Sequence, residues 1–174
     1  MSRDATRDPR LATRKTRMPP PAILDPATLD FSNLLADREA IQRVLPHRHE
    51  FALLDGVIMC DRERGLFAGY HDIREDAWWA RGHVPGRPLF PGVLMIEAAA
   101  QLASFLAHYV WGGQHFVGLT GIDDTKYRGT VVPPCRLVLV GRALEIRSRR
   151  IRCAIQGFVG STMVFESVIT GMPV

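Results

Sequence analysis

The stretch GVLMIEAAAQLASFLAHYV, residues Gly92–Val110, decides how the rest of the chain must be arranged. Its Ala, Leu, Met, Ile and Phe residues surround a helix almost completely, and a helix that is apolar on nearly all sides is buried on nearly all sides. The run is hydrophobic enough to raise the question of a membrane span. Glu97, Gln101 and His108 lie inside it, and a carboxylate at the centre of a span costs about 2.5–3.5 kcal/mol on insertion scales. A buried helix in a soluble domain is therefore expected, with no membrane span. Just before it, HVPGRPLFP (His83–Pro91) reads as a long, rigid, non-helical passage, broken by Pro85, Gly86, Pro88 and Pro91.

A helix enclosed on all sides needs something to enclose it. The C-terminal third supplies strand-like runs at Gln114–Gly121, Cys135–Arg147, Arg150–Gly160 and Ser161–Gly171. Hairpin connections are read at Arg147–Arg152 and Gly160-Ser161. Upstream, Phe51–Cys60 and Gly65–Ile73 read as an antiparallel pair around the polar turn Asp61–Arg64. A short helix is expected over Asp37–Leu45, where Ile41, Val44 and Leu45 share a face and Pro46 stops the run. One enveloped helix with neighbouring strands is an α+β arrangement: an antiparallel sheet curled around a central helix.

The 174 residues fit one domain, and 47% apolar with 23% charged residues is globular rather than disordered composition. The net charge of +4 invites a nucleic-acid reading, but residues 1–21 hold six of the 22 bases and two of the 18 acids. The remainder carries sixteen of each and is neutral. We therefore expect a disordered basic arm over residues 1–21, ending in the stiff spacer Pro19-Pro20-Pro21, and one domain over residues 22–174. No interleaving of basic and aromatic residues supports nucleic-acid binding. Cys60, Cys135 and Cys153 are odd in number and lack CxxC spacing, and Met1–Arg17 has no apolar signal core. Reduced thiols in a cytoplasmic protein are expected.

Within this frame, Glu97 is an anomaly. Its i±3 and i±4 neighbours are apolar except for Gln101, so burial is expected to favour the protonated carboxyl, and Gln101, one turn on, can hydrogen-bond it. The bland alternative is a Glu reaching out to water. His83 is a second candidate: Gly82 precedes it, Pro85-Gly86 follow, and histidine is the usual proton carrier near neutral pH. Pro91-Gly92 is the third, because the free N–H groups of a helix N-terminus polarise a carbonyl oxygen. A base, an acid that holds a proton and a carbonyl clamp together describe proton abstraction α to a carbonyl with acid help for a leaving group. His47 and His49 form an HxH pair, a spacing that could suggest metal binding. The turn RSRRIR (Arg147–Arg152), with Lys126, Arg128 and Arg136, is either a solvated hairpin or a docking patch for an acidic partner.

Three stretches carry a family resemblance: LPHRHEFALLDGV (Leu45–Val57), GHVPGRPLFPGVLMIEAAAQ (Gly82–Gln101) and GIDDTKYRGTVVPPCRLVL (Gly121–Leu139). In order and spacing they resemble the FabZ-type (3R)-hydroxyacyl-acyl carrier protein dehydratases, from about Ala40 to the C-terminus. The resemblance implies the hotdog fold, a sheet wrapped around a long helix, and a homodimer or trimer of dimers. It implies dehydration of β-hydroxyacyl thioesters on acyl carrier protein to trans-2-enoyl thioesters, with no cofactor and no metal. His83 would be the catalytic histidine, Glu97 the catalytic acid, Gly92 the backbone donor to the thioester carbonyl and Leu89 the carbonyl that orients His83. The resemblance also implies that the histidine of one subunit meets the glutamate of the other. Val84, His49-Glu50 and Pro134-Cys135 depart from the family pattern, which touches pocket shape more than chemistry. A hotdog thioesterase and a non-catalytic acyl-binding paralogue are the rival expectations.

Overall fold

A computed structural model describes residues 18–112 and 116–174. The expected core helix forms as α2 (Gly92–Trp111). Around it run β1 (Ala36–Asp37), the short α1 (Arg38–Val44), β2 (Gly56–Asp61), β3 (Leu66–Ile73), β4 (Val117–Tyr127), β5 (Cys135–Arg147), β6 (Arg150–Val159) and β7 (Thr162–Pro173). The strands make a single antiparallel sheet in the order β1-β2-β3-β5-β6-β7-β4. This is the α+β hotdog arrangement. Ala98, Ala99, Leu102, Leu106 and Ala107 of α2 are fully buried, and their core includes Phe67, Leu137, Leu139, Ile155, Phe165 and Ile169 of the sheet. Alanines on the helix let the backbone of the sheet come close, and the large residues come from the strands. By length and composition α2 could cross a membrane, but most of its surface is taken up by this packing.

The sheet buries its other face too. Ile23, Leu24, Leu29, Phe31 and Leu34 lie across Ile58, Tyr70, Val138, Val140 and Phe158 and form a second, smaller core. The buried side chain of Gln156 on β6 holds the start of this strap. Its Oε1 accepts from the Ile23 N–H (2.8 Å) and its Nε2 donates to the Pro21 carbonyl (3.1 Å). Residues 1–17 of the expected arm lie outside the described residues. Gln156→Ala is expected to cost about 1 kcal/mol, the net worth of a hydrogen bond, and to speed limited proteolysis within residues 22–34. Unchanged cleavage kinetics would show that apolar contacts alone hold the strap.

Two strands differ from expectation. The run Phe51–Cys60 becomes regular only at Gly56, because side chains intercept the backbone before it. His49–Phe51 forms a 3₁₀ turn and the Leu53 N–H donates to Gln101 Oε1 (3.0 Å). Asp55 then accepts from Arg38 Nη1 (2.5 Å), from the His71 ring (2.9 Å) and from the Asp72 N–H (2.7 Å). The strand expected at Gln114–Gly121 begins at Val117, with Gln114 outside the described residues, and runs on to Tyr127. Polar Asp123, Asp124 and Lys126 are admitted because β4 is an edge strand, irregular between Asp123 and Lys126.

Burial works to raise the Asp55 carboxyl, but the His71 hydrogen bond, the Asp72 N–H and the charges of His71 and Arg38 outweigh it and hold the group below its usual value. A carboxyl depressed on folding stabilises the protein above its unfolded pKa of about 3.9, and that contribution is lost as pH falls through the folded value. Asp55→Asn is expected to lower stability at pH 7 by about 1.5–3 kcal/mol. In urea melts across pH, the gap from wild type should narrow at the acid end. A gap that persists there would mean that charge is not its cause.

Candidate active site

The passage before α2 is closed on itself. The His83 carbonyl accepts from the Leu89 N–H (2.9 Å), Val84 and Arg87 exchange backbone bonds, and Gly86 turns the chain at φ +74°, a conformation that disfavours a side chain. In return the Leu89 carbonyl accepts from His83 Nδ1 (2.8 Å). A carbonyl can only accept, so the proton of the neutral ring sits on Nδ1 and Nε2 is left as an open base. The Leu89 carbonyl thus meets the His83 ring, and His83 is exposed on this loop.

Pro91 caps α2 without a side-chain bond. The Leu94 and Met95 N–H groups turn back to the Pro91 carbonyl (2.9 and 3.3 Å), and the Gly92 N–H has no backbone partner among the described residues. It remains a free donor at the positive end of a 20-residue helix. A Cβ here would stand 2.7 Å from the Tyr127 ring of β4, so any side chain at this position would have to displace that ring.

Glu97 lies further along the same helix, and Gln101 meets it as expected. The amide orientation of Gln101 follows from its backbone partners. Its Oε1 accepts from Leu53 N–H, so its Nε2 must be the atom that donates to the Phe51 carbonyl (2.7 Å) and to Glu97 Oε1 (2.8 Å). Oε1 of Glu97 is therefore an acceptor, and Gln101 leaves Oε2 unengaged. A desolvated Glu97 was the expectation, with a side chain reaching out to water as the alternative; the side chain keeps 27% of its exposure. It opens on a cavity of about 180 Å³ lined by Glu97, Ala100 and Ser104 of α2, Leu119 of β4, Ile169 of β7 and by His47. His83 does not line this cavity, so within one chain the two titratable groups do not share it.

His47 is the residue that sequence reasoning passed over. Its Nε2 stands 3.4 Å from Glu97 Oε1, whereas His49, its presumed HxH partner, lines a separate cavity with Asp55 and His71. No sequence spacing signals the pairing, since His47 and Glu97 belong to different elements. The proposed basic patch is not gathered either. Arg136 begins β5, where it grips Asp72 (2.6 and 2.8 Å), while Arg147 and Arg150 lie at the far end near Glu145. At about 3.3 Å per residue, the two ends of that 13-residue strand cannot form one patch. Lys126 and Arg128 are both paired with Glu166.

A FabA-like domain matches residues 45–167. The 3-hydroxyacyl-[acyl-carrier-protein] dehydratase FabZ of Protochlamydia amoebophila is 30% identical over 145 residues, which is 83% of this chain and 90% of that protein. The chain belongs to the FabZ-type dehydratase family. The FabZ of Mannheimia succiniciproducens is 36% identical over 116 residues, covering 65% of this chain and 76% of its own. Among solved structures, a chain of the dehydratase heterocomplex ApeI:P from Xenorhabdus doucetiae superposes with a TM-score of 0.67 at 14% identity, over 77% of this chain and 90% of that one. A putative thioesterase from Lactococcus lactis gives 0.53 at 14% identity, over 63% and 78%. These two likenesses speak to the fold. Of the departures from the FabZ-type pattern, Val84 is exposed beside His83, and Cys135 opens β5 next to Pro134.

Proposed function

We propose that this chain dehydrates (3R)-hydroxyacyl thioesters carried on acyl carrier protein to trans-2-enoyl thioesters, as a cytoplasmic enzyme of fatty acid or related lipid synthesis. The observation that carries the reading is the assignment of atoms at the two titratable groups. The Leu89 carbonyl leaves His83 with a free Nε2 lone pair, and Gln101 occupies Glu97 Oε1 and leaves Oε2 unengaged. One group can take a proton while the other gives one.

The thioester carbonyl is held by the Gly92 N–H. His83 Nε2 removes the C2 proton, and the electron pair forms the C2–C3 double bond as the C3–O bond breaks. The departing hydroxyl takes the proton from Glu97 Oε2 and leaves as water, so the enzyme ends as imidazolium and carboxylate. Proton exchange with solvent restores both groups. Donors already in place at the carbonyl need no reorganisation as negative charge develops there.

The site is completed by a second copy, in this reading. The sheet ends on β4, whose outer edge is unpaired among the described residues; Leu119, Ile122 and Tyr127 are exposed on it, with Phe116 beside them. An exposed apolar edge of this length calls for a cover, and pairing β4 with its symmetry mate would carry His83 of one subunit towards the Glu97 cavity of the other. The domain from residue 22 onward would be the working unit, and residues 1–21 a basic appendage.

The test is a spectrophotometric assay of purified protein with crotonyl and 3-hydroxyacyl thioesters on acyl carrier protein. Gain and loss of the enoyl thioester chromophore are expected. Release of free thiol instead would identify a thioesterase, and an inert protein would leave the non-catalytic alternative.

A further inference from the structure

We propose that His47 is a positioning residue for the Glu97 carboxyl, a role that rests on the dehydratase reading above. His47 is held by its neighbours in the chain. Pro46 follows the C-cap of α1, and the Arg48 guanidinium donates to the carbonyls of Gln42 in that helix (2.8 Å), of its C-cap Leu45 (2.7 Å) and of His47 itself (2.8 Å). The backbone carrying the ring is thus fastened on both sides. Its Nδ1 is buried and has no hydrogen-bond partner, while Nε2 faces Glu97 Oε1 at 3.4 Å.

These two facts choose the tautomer. A neutral ring has one N–H. An N–H left unpartnered in the interior is penalised, whereas one directed at a carboxyl oxygen is stabilised, so the hydrogen belongs on Nε2. Burial holds the imidazole towards its neutral form, with the Arg48 charge acting the same way and Glu97 opposing both. The cavity otherwise offers Glu97 only uncharged groups, among them Ser104 and Thr170. His47 and Gln101 then donate to the same oxygen from opposite elements, the loop after α1 and the helix α2. Together they fix the carboxyl plane and leave Oε2 as the only oxygen that can reach a substrate hydroxyl. A separation of 3.4 Å is longer than a good N–H···O bond, and such contacts tighten when substrate closes the site.

The experiment is steady-state hydration of a crotonyl thioester by the full chain. Wild type is compared with His47→Ala, His47→Gln, His47→Asn, Glu97→Gln and the His47→Ala/Glu97→Gln double variant. His47→Ala should lower kcat about 10-fold, the effect of one hydrogen bond to the carboxylate that forms as Glu97 gives up its proton, with KM nearly unchanged. His47→Gln, whose amide reaches as far as Nε2, should recover most of kcat. The shorter Asn should not, and this contrast decides the matter should the alanine variant fail to fold. The double variant should be no slower than Glu97→Gln alone, because His47 would act only through that carboxyl. Losses that multiply in the double variant, equal rates for Gln and Asn, or an unaffected His47→Ala would each overturn the assignment while the dehydratase reading stands. An inert wild type would remove both.

Discussion

His83→Ala is expected to lower kcat for both hydration and dehydration by about 10²–10⁴-fold, the range attributable to a positioned general base. Stability should change by less than about 0.5 kcal/mol, as for an exposed site outside the core. The two effects separate because His83 sits on an exposed loop and its ring makes one hydrogen bond among the described residues, to the Leu89 carbonyl. That loop is closed independently by the backbone bonds His83–Leu89 and Val84–Arg87 and by Phe90 N–H to the Val131 carbonyl (2.8 Å), so it keeps its shape without the imidazole. Kinetics and thermal melts on the same preparation check this. Retention of wild-type kcat would sink His83 as the base, and a large drop in melting temperature would assign it a structural role instead.

Glu97→Gln is the second large effect. The amide has nearly the same size and can still meet Gln101, so packing is preserved, but it cannot deliver a proton to the leaving hydroxyl. A loss of about 10²–10⁴-fold in kcat is expected, with melting temperature close to wild type. The stronger test combines the two dead proteins. If His83 and Glu97 meet across a two-fold interface, a mixed dimer holds one site with both native residues and one with neither. Mixing His83→Ala with Glu97→Gln after subunit exchange should then restore about a quarter of wild-type activity. No recovery, with exchange verified by mass spectrometry, would mean that each site is built from one chain.

The legible parts of this protein were those written in local patterns. Gly92–Trp111 was recognisable because apolar residues on all sides of a helix have one low-energy destination, and the hairpins β5–β6 and β6–β7 because short turns join strongly β-forming runs. Glu97 and Gln101 could be paired in advance because four residues on a helix is one turn. The shift of β2 from Phe51 to Gly56 was not legible. Its cause is Gln101, 48 residues away, taking the Leu53 N–H. The strap was hidden for the same reason: Gln156 holds Ile23 across 133 residues, and nothing local to either position records the bond.

The sequence by itself determined that one helix would be buried and that a sheet would enclose it, and it marked His83, Glu97 and the Pro91-Gly92 helix start as candidates. Periodicity and residue type are sufficient for that, since they act within a turn or a strand. Only the tertiary structure decided which atoms of those residues remain free. His83 Nε2 and Glu97 Oε2 are left available because Leu89 and Gln101 occupy their neighbouring atoms. It alone also set His47 against the glutamate, after Arg48 had fastened the loop between α1 and the sheet. Hydrogen bonds are directional and short, so their partners become known only when distant segments are brought within about 3 Å of each other.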